Sequence, residues 1–226
     1  MITLIGMNSG NVNRRIKNEI WPLLRKSGFS AFSTRTTWRY TPEQIHVVNF
    51  QSFNSYLAEG LGCTTFSFGL NLGIYFTAIP AFSLATNHKD SESRPQEYQC
   101  HFRHHPLKRF DQSEFPRRDI WYIETDGLNL PEVIADARTV VEMDALPWFD
   151  RFRSMEEVLR LLVEEDDLEW FHGKRQSPNR KYCTGHIALR LGQVALAEPM
   201  IAEANQELER IHAKFTSRQR SQKPRD

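Results

Sequence analysis

Two histidines and an arginine alternate in one short stretch of the sequence that could support proton transfer or metal binding. His101, Arg103 and His105 would share one face of an extended strand, because side chains two residues apart point the same way. Imidazoles act as general acids, general bases and metal ligands. The stretch has no carboxylate close by in sequence and its spacing matches no metal-ligand pattern. We therefore favour a polar sheet edge that ends at Pro106.

A second candidate site is a group of polar side chains on strands that should lie centrally in a sheet. A buried amide without a partner costs about 1–3 kcal/mol, so these groups need hydrogen bonds. They could line a polar pocket floored by glycines, or form a buried network that fixes strand register. We favour the network, since neither a nucleophile nor a base stands out beside them. The candidate pocket comprises Asn49, Gln51, Gly69, Asn71, Gly73 and Tyr75.

The remaining reactive or charged groups have simpler interpretations. Cys63 could be a reactive thiol, but a cysteine beside a strand more often serves as a small apolar residue. The acidic run 164–169 could oppose a basic partner, although such runs usually end helices in solvent. The sequence has no Gly-x-Ser-x-Gly elbow, phosphate-binding glycine loop or His-Glu-x-x-His motif. We therefore assign no catalytic residue, metal or cofactor from it.

The length of the chain predicts one domain with an appended subdomain, and its composition is that of a globular protein. The 226 residues are 40% hydrophobic and 12% aromatic, and 29 basic residues balance 28 acidic ones. No global field would draw the chain to nucleic acid or to an anionic membrane. Three scattered cysteines, an amino end unlike a signal peptide and the lack of a long apolar run predict a cytoplasmic protein with no membrane partner.

The clearest element that must position these groups is a strand from Thr65 to Phe76. Its even positions are apolar without interruption, which is typical of a half-buried strand. Its odd face is small and polar and carries two glycines, so another part of the molecule should approach it closely. The apolar positions are Phe66, Phe68, Leu70, Leu72, Ile74 and Phe76.

Further strands are predicted on both sides of this one, and helices follow them. Strand patterns lie at 29–32, 36–40, 45–53, 99–105 and 118–124, with a long surface loop over 80–98. A helix precedes them, with an apolar stripe from Val12 to Leu24, a bend at Pro22 and an end near Gly28. Strands first and helices afterwards indicate an α+β fold, an antiparallel meander sheet with helices on one face.

The later helices have recognisable starts. Asn129 can cap one helix with Pro131 in its first turn. Ser154 and Glu157 form a capping box for the next. Two helical segments, 180–191 and 195–215, then form a C-terminal hairpin, and 216–226 is predicted to be a disordered tail.

The order of these features resembles a bacterial family called domain of unknown function 4304. The phrases that carry the resemblance include Asn49-Phe50-Gln51 and Asn71-Leu72-Gly73-Ile74-Tyr75, and it covers roughly residues 11–165. The family's name states no activity, so the resemblance implies a fold and no catalytic residues. Small domains of this sort often accompany toxin, immunity or phage-defence genes.

The hairpin, over 178–215, is similar to a single tetratricopeptide repeat. Small residues at that repeat's spacing let two antiparallel helices pack tightly, and about three repeats are normally needed to bury a core. A single hairpin should therefore pack on the main domain or on a partner. The matching residues are Gly185, Ala188, Gly192, Ala197, Ile201 and Ala204.

These observations favour a non-catalytic binding or regulatory protein that recognises another protein through its sheet face or its hairpin. We expect a protein partner or a homo-oligomer. The alternative is an enzyme or small-ligand binder that uses the polar sheet face with the strand from His101 to His105. A third hypothesis is weak nucleic-acid binding through the basic tail, which would be lost on truncation after Phe215. We do not expect that role, because the tail has no aromatic residue on which bases could stack.

Overall fold

The computed structural model describes residues 7–80, 94–165, 171 and 176–221, with side chains described as far as 214. The chain divides into two compact units. The first consists of Met1–Tyr75 and Ser93–Arg151, and the second of Phe76–Glu92 and Phe152–Asp226. The first unit carries most of the sheet, and the second carries the C-terminal hairpin.

The predicted amino-terminal helix is present but has an irregular middle. It consists of α1 (Ser9–Arg15), a π-helical turn (Ile16–Ile20) and α2 (Trp21–Lys26). Pro22 lies in the first turn of α2, where its missing N–H costs no helical hydrogen bond. Gly28, with a φ of 88°, follows the end of the helix. The apolar stripe is buried as predicted, at Val12, Ile16, Ile20 and Leu24.

The strands form one five-stranded antiparallel sheet in the order β1-β2-β3-β4-β5, which confirms the predicted meander and the α+β class. Trp38 pairs with Val47 across β2 and β3. Gly73 pairs with Arg103 across β4 and β5. The strands are β1 (Ala31–Phe32), β2 (Thr36–Tyr40), β3 (Gln44–Ser52), β4 (Phe68–Phe76) and β5 (Phe102–His104).

The clearest predicted strand begins later than expected. β4 starts at Phe68 and not at Thr65, because the preceding residues form a turn held by side chains. The Ser67 hydroxyl accepts a hydrogen bond from the backbone N–H of Ile123 at 3.0 Å. Before this turn in the chain lies the helix α3 (Ser55–Leu61), which the sequence pattern does not predict.

The prediction of a strand over 118–124 is wrong. Within this segment only an isolated bridge between Trp121 and Phe68 is formed. Its large apolar residues do not alternate between inside and outside, since Ile120, Trp121 and Ile123 are all buried. β5 is likewise shorter than the predicted 99–105, because Glu97–Gln99 forms a 3₁₀ turn.

The even face of β4 carries the core of the first unit. Phe68 meets Phe50 at 5.6 Å and Trp121 at 5.8 Å between ring centroids. Phe50 in turn meets Trp21 of α2 at 5.5 Å. All the apolar residues that the first unit contributes to this face are at most 1% exposed, namely Phe68, Leu70, Leu72 and Ile74.

A second helical stretch completes the first unit. It consists of α4 (Leu130–Val140), a π-helical turn (Val141–Ala145) and α5 (Leu146–Asp150). The helix begins where predicted, but the expected cap is wrong. The Asn129 side chain bonds the preceding loop instead, accepting from the backbone N–H of Glu124 at 3.0 Å.

The second unit contains α6 (Met155–Glu164), α7 (Pro178–Arg190) and α8 (Val194–Ser221). Ser154 caps α6 as predicted, accepting from the N–H of Glu157 at 3.2 Å. The structure groups α6 with the hairpin, whereas the sequence grouped it with the sheet. α8 runs six residues beyond its predicted end at 215, because Arg and Gln favour a helix even without an apolar stripe.

Candidate functional site

The odd face of the sheet carries a hydrogen-bonded chain of polar side chains centred on Asn71. The Asn71 amide nitrogen donates to Oε1 of Gln51 at 2.7 Å. Its amide oxygen lies 2.8 Å from Nδ1 of His105, and this ring nitrogen must donate because an amide oxygen only accepts. Asn71 is 6% exposed, so both ends of a buried amide are satisfied by neighbouring segments.

Asn49 belongs to a separate pair on the same face. Its amide nitrogen donates to the hydroxyl of Thr36 at 2.8 Å, and Thr36 lies directly opposite it on β2. Three of the predicted pocket residues, Asn49, Gln51 and Asn71, therefore divide into two hydrogen-bonded groups. One group links β2 to β3, and the other links β3 through β4 to the end of β5.

The close approach predicted at the two glycines occurs at Gly73 and not at Gly69, and it is made by the chain itself. A Cβ on Gly73 would lie 2.5 Å from the sulfur of Cys100 and 3.4 Å from the carbonyl oxygen of Glu97. A Cβ on Gly69 would make only an ordinary contact, 3.6 Å from the carbonyl oxygen of Asp119. Gly73 is thus required sterically, and the space above it is filled.

The segment that follows residue 93 covers this end of the odd face. The Trp38 indole donates to the carbonyl oxygen of Pro95 at 2.9 Å, and the Arg94 guanidinium lies 5.6 Å from the Trp38 ring. Tyr75 packs against a small core cluster beneath this segment. The cluster consists of Trp38, Ile45, Val47 and Cys100.

The predicted face of His101, Arg103 and His105 exists, but each side chain has a different partner. Arg103 donates to the carboxylate of Glu97 at 2.6 Å, and the His101 ring lies 4.8 Å from that of Tyr75. His105 contacts Asn71, as described above. Among the described residues no three His, Cys, Asp or Glu side chains are placed to hold a metal ion.

Sequence reasoning missed Glu97, although it is 6% exposed and forms the ion pair with Arg103. It stands in a stretch that the composition identified as a surface loop. The only signal was its separation of six residues from Arg103. That spacing does not by itself predict an ion pair, because the two side chains meet only when the 3₁₀ turn folds the loop back over the sheet.

The cysteine thiols are held in their neutral form. Burial raises the pKa of the Cys63 and Cys100 thiols above their ordinary value, and it raises the pKa of Cys183 to about 12. A thiol is a poor nucleophile unless it ionises. Cys63 is only half-buried, so its role as a small apolar residue stays a prediction.

The hairpin is tightly packed at its small residues. A Cβ on Gly185 would lie 2.6 Å from Cγ1 of Ile201 and 3.1 Å from the carbonyl oxygen of Ala197. Lys181 pairs with Glu203 at 3.0 Å. The two helices therefore meet closely as predicted, while the likeness to a tetratricopeptide repeat stays a prediction.

Arg180 is a structural residue that sequence reasoning also missed. It is 1% exposed and its guanidinium donates to the carbonyl oxygens of Leu161, Leu162 and Glu165. These carbonyls belong to the last turn of α6 and to its C-cap residue Glu165, where a helix runs out of its own amide donors. The Leu161 carbonyl also accepts from the backbone N–H of Glu165 at 3.2 Å. An arginine after a polar linker gave no sign of burial in the sequence.

Comparison with known proteins identifies a family and no individual relative. The family model described as Domain of unknown function (DUF4304) matches residues 20–151, which is more than half of the chain. No curated protein and no solved structure matches the chain. Within the described ranges, none of the helices combines the length and the apolar character needed to cross a membrane.

Proposed function

The chain belongs to the family domain of unknown function 4304, whose name assigns no activity, and we propose from the geometry that it is a non-catalytic binding protein. Its docking element is the end of α8 beyond residue 208, which we call the α8 extension. The partner is an acidic protein with an apolar groove.

The observation that supports this proposal is an apolar stripe on α8 that continues beyond the residues buried within the hairpin. α8 has 28 residues and α7 has 13, which correspond to about 42 Å and about 20 Å at ~1.5 Å per residue. Ala204 and Leu208 are at most 8% exposed, whereas Ile211, one turn further on, is 40% exposed. The apolar side of α8 therefore continues to Ile211, where the rest of the chain no longer buries it.

The charge on the α8 extension selects the partner. From residue 210 to its end, α8 contains arginine, lysine and histidine and no acidic residue, whereas four glutamates precede this point. A helix with an apolar stripe and a basic flank fits a groove with an acidic rim. A second copy would bring like charges together, so we propose a different protein and not a homo-oligomer.

The sheet face is a weaker docking element for a protein. The part of this face around Trp38 and Gly73 is covered by the chain's own residues 94–100. Trp38 donates to the carbonyl oxygen of Pro95, and Gly73 lies against Cys100. Displacing residues 94–100 would uncover a packed cluster and the Glu97–Arg103 ion pair. Recognition by the α8 extension needs no such rearrangement.

The test is to capture proteins with the full chain, purify the one retained, and measure its affinity directly. We expect Ile211→Asp to weaken binding at least tenfold, because a carboxylate replaces the exposed apolar anchor and opposes the acidic rim. Leu57→Asp is the matched control, since Leu57 on α3 is 43% exposed and should leave the affinity unchanged.

Three results would contradict the proposal. Equal affinity of the Ile211→Asp variant would exclude the α8 extension as the docking element. Loss of capture after nuclease treatment would point to nucleic acid, and retention on anionic vesicles alone would point to a membrane surface.

A small ligand on the odd face of the sheet is the second candidate, favoured by the exposure of both ends of the Asn71 chain. Gln51 and His105 are exposed while Asn71 is buried, so a polar ligand could bridge the two outer groups. Under this hypothesis Gln51→Ala should abolish binding of that ligand and Ile211→Asp should not affect it.

A further inference from the structure

A cleft in the first unit lies between the amino-terminal helix and the turn that joins β1 to β2. It has a volume of about 660 Å³, which falls in the range of pockets that take whole small molecules. Residues of α1, the π-helical turn and α2 form one wall, and Phe32 to Thr34 form the other. π-Helical turns within α-helices are frequent at functional sites.

The cleft is lined by positive charge and by no carboxylate. Arg14, Lys17 and Arg25 all line it, and within the described ranges neither Arg14 nor Lys17 takes part in an ion pair. Glu19, the nearest acid on the same helix, is occupied by Arg15 at 2.9 Å. Three cations that share one concave surface create a local potential that attracts anions.

Polar and aromatic groups accompany the three cations. The Arg25 guanidinium lies 4.5 Å from the centroid of the Phe32 ring, and Phe32 lies 5.5 Å from Trp21. Asn18 and Ser33 also line the cleft. The amide of Asn18 can donate to or accept from hydroxyl and ring groups, whereas the Ser33 hydroxyl donates to the carbonyl oxygen of Thr36 at 3.1 Å and can only accept. The lining thus combines three cations that can neutralise an anion with the planar ring of Phe32.

A fourth guanidinium stands directly behind this wall. Arg35 donates through Nε to the side chain of Asn13, a cleft residue. Its two terminal nitrogens are buried and have no hydrogen-bond partner within the described structure. Burial lowers the pKa of Arg35 to about 10. The guanidinium lies 5.9 Å from the centroid of the Phe68 ring, and a buried charge that lacks hydrogen-bond acceptors is unfavourable. An anion in the cleft would offset part of that cost.

We propose that this cleft binds a nucleotide, a small molecule in which a planar base is joined to a chain of phosphates. Arg14, Lys17 and Arg25 neutralise the phosphates, since guanidinium and ammonium groups make strong charge-assisted bonds to phosphate oxygens. Phe32, which is half-buried with the Arg25 guanidinium over its ring, offers the planar base an apolar contact. The cleft volume exceeds what a phosphate group alone would fill. This site is independent of the α8 extension.

The test is calorimetric titration of the full chain with ATP, with inorganic pyrophosphate and with adenosine. We expect ATP to bind more tightly than pyrophosphate, and adenosine to bind least. The double variant Arg14→Gln, Lys17→Gln should weaken ATP binding by at least about tenfold. Both side chains are exposed, so its melting temperature should match that of the unmodified chain.

Lys26→Gln is the matched control, because Lys26 lies next to Arg25 on α2, is exposed and does not line the cleft. It should leave the ATP affinity within about twofold. An equal loss of ATP affinity in this control would show that the loss reflects only non-specific charge, and it would contradict the proposed site. Failure of all three probes to bind, equal affinity for pyrophosphate and ATP, or tighter binding of a single-stranded oligonucleotide than of ATP would each overturn the nucleotide assignment.

Discussion

The two faces of the sheet are stabilised in different ways, although they share the same backbone. On the even face of β4, every apolar side chain is at most 1% exposed, and Phe68 packs against the rings of Phe50 and Trp121. On the odd face, the contacts are individual hydrogen bonds, one ion pair, the close approach at Gly73 and one small apolar cluster around Trp38. The even face therefore supplies most of the stability, while the odd face selects one arrangement of strands and loops.

Replacing Phe68 on the even face should have the largest effect on stability. Phe68→Ala should lower the free energy of unfolding by about 3–5 kcal/mol, since it removes a ring and leaves a cavity between Phe50 and Trp121. Denaturation in urea measures the change. Leu57→Ala, at a position 43% exposed, should stay within about 0.5 kcal/mol, and a similar loss there would remove the contrast.

Gly73→Ala should have the next largest effect. The new methyl group would lie 2.5 Å from the sulfur of Cys100, and overpacking of this kind costs about 1–3 kcal/mol. Gly60→Ala is the matched control, because Gly60 lies in α3 and a Cβ there meets nothing within 4 Å. It should stabilise the protein by about 0.5–1 kcal/mol. A neutral Gly73→Ala would show that residues 94–100 do not press on the sheet.

The bond between Gln51 and Asn71 should contribute about 1 kcal/mol of coupling free energy. Urea denaturation of Gln51→Ala, Asn71→Ala and the double variant measures this term. A coupling free energy near zero would mean that the two side chains are not bonded in solution, and the odd face would then offer an unsatisfied amide to a ligand.

The thiol of Cys100 should make stability fall as pH rises above neutrality. Burial raises its pKa in the folded protein, whereas an unfolded thiol ionises near pH ~8.5. Above that pH the folded state binds more protons than the unfolded state, so stability falls by up to about 1.4 kcal/mol per pH unit. Cys100→Ala should flatten this part of the pH profile relative to the unmodified chain. If stability depends on pH in the same way in the unmodified chain and in Cys100→Ala, the Cys100 thiol is not buried in solution. The segment over the odd face would then open readily.

The sequence predicted best those features that depend on local periodicity. The even residues of β4, the stripe from Val12 to Leu24 and the cap at Ser154 all follow from patterns within a few residues. Gly73 was correctly associated with a close approach. The identity of the approaching residue, Cys100, could not be predicted, because it depends on how a long loop returns to the sheet.

The features that could not be predicted depend on contacts between distant segments. The bond between Asn71 and Gln51 needs the register of β3 against β4, which no local pattern specifies. The segment 118–124 has the composition of a strand, yet its residues are buried on both sides. Arg14, Lys17 and Arg25 have the spacing of an ordinary solvated helix face, and only the turn at Ser33 makes that face concave.

Hydrogen exchange with and without the captured partner tests the central claim most directly, because it maps where binding takes place. Added partner should increase protection in α8 from residue 208 onward and leave residues 49–51 and 69–75 unchanged. Increased protection at 49–51 and 69–75, with α8 unchanged, would contradict this claim and transfer the binding role to the odd face of the sheet.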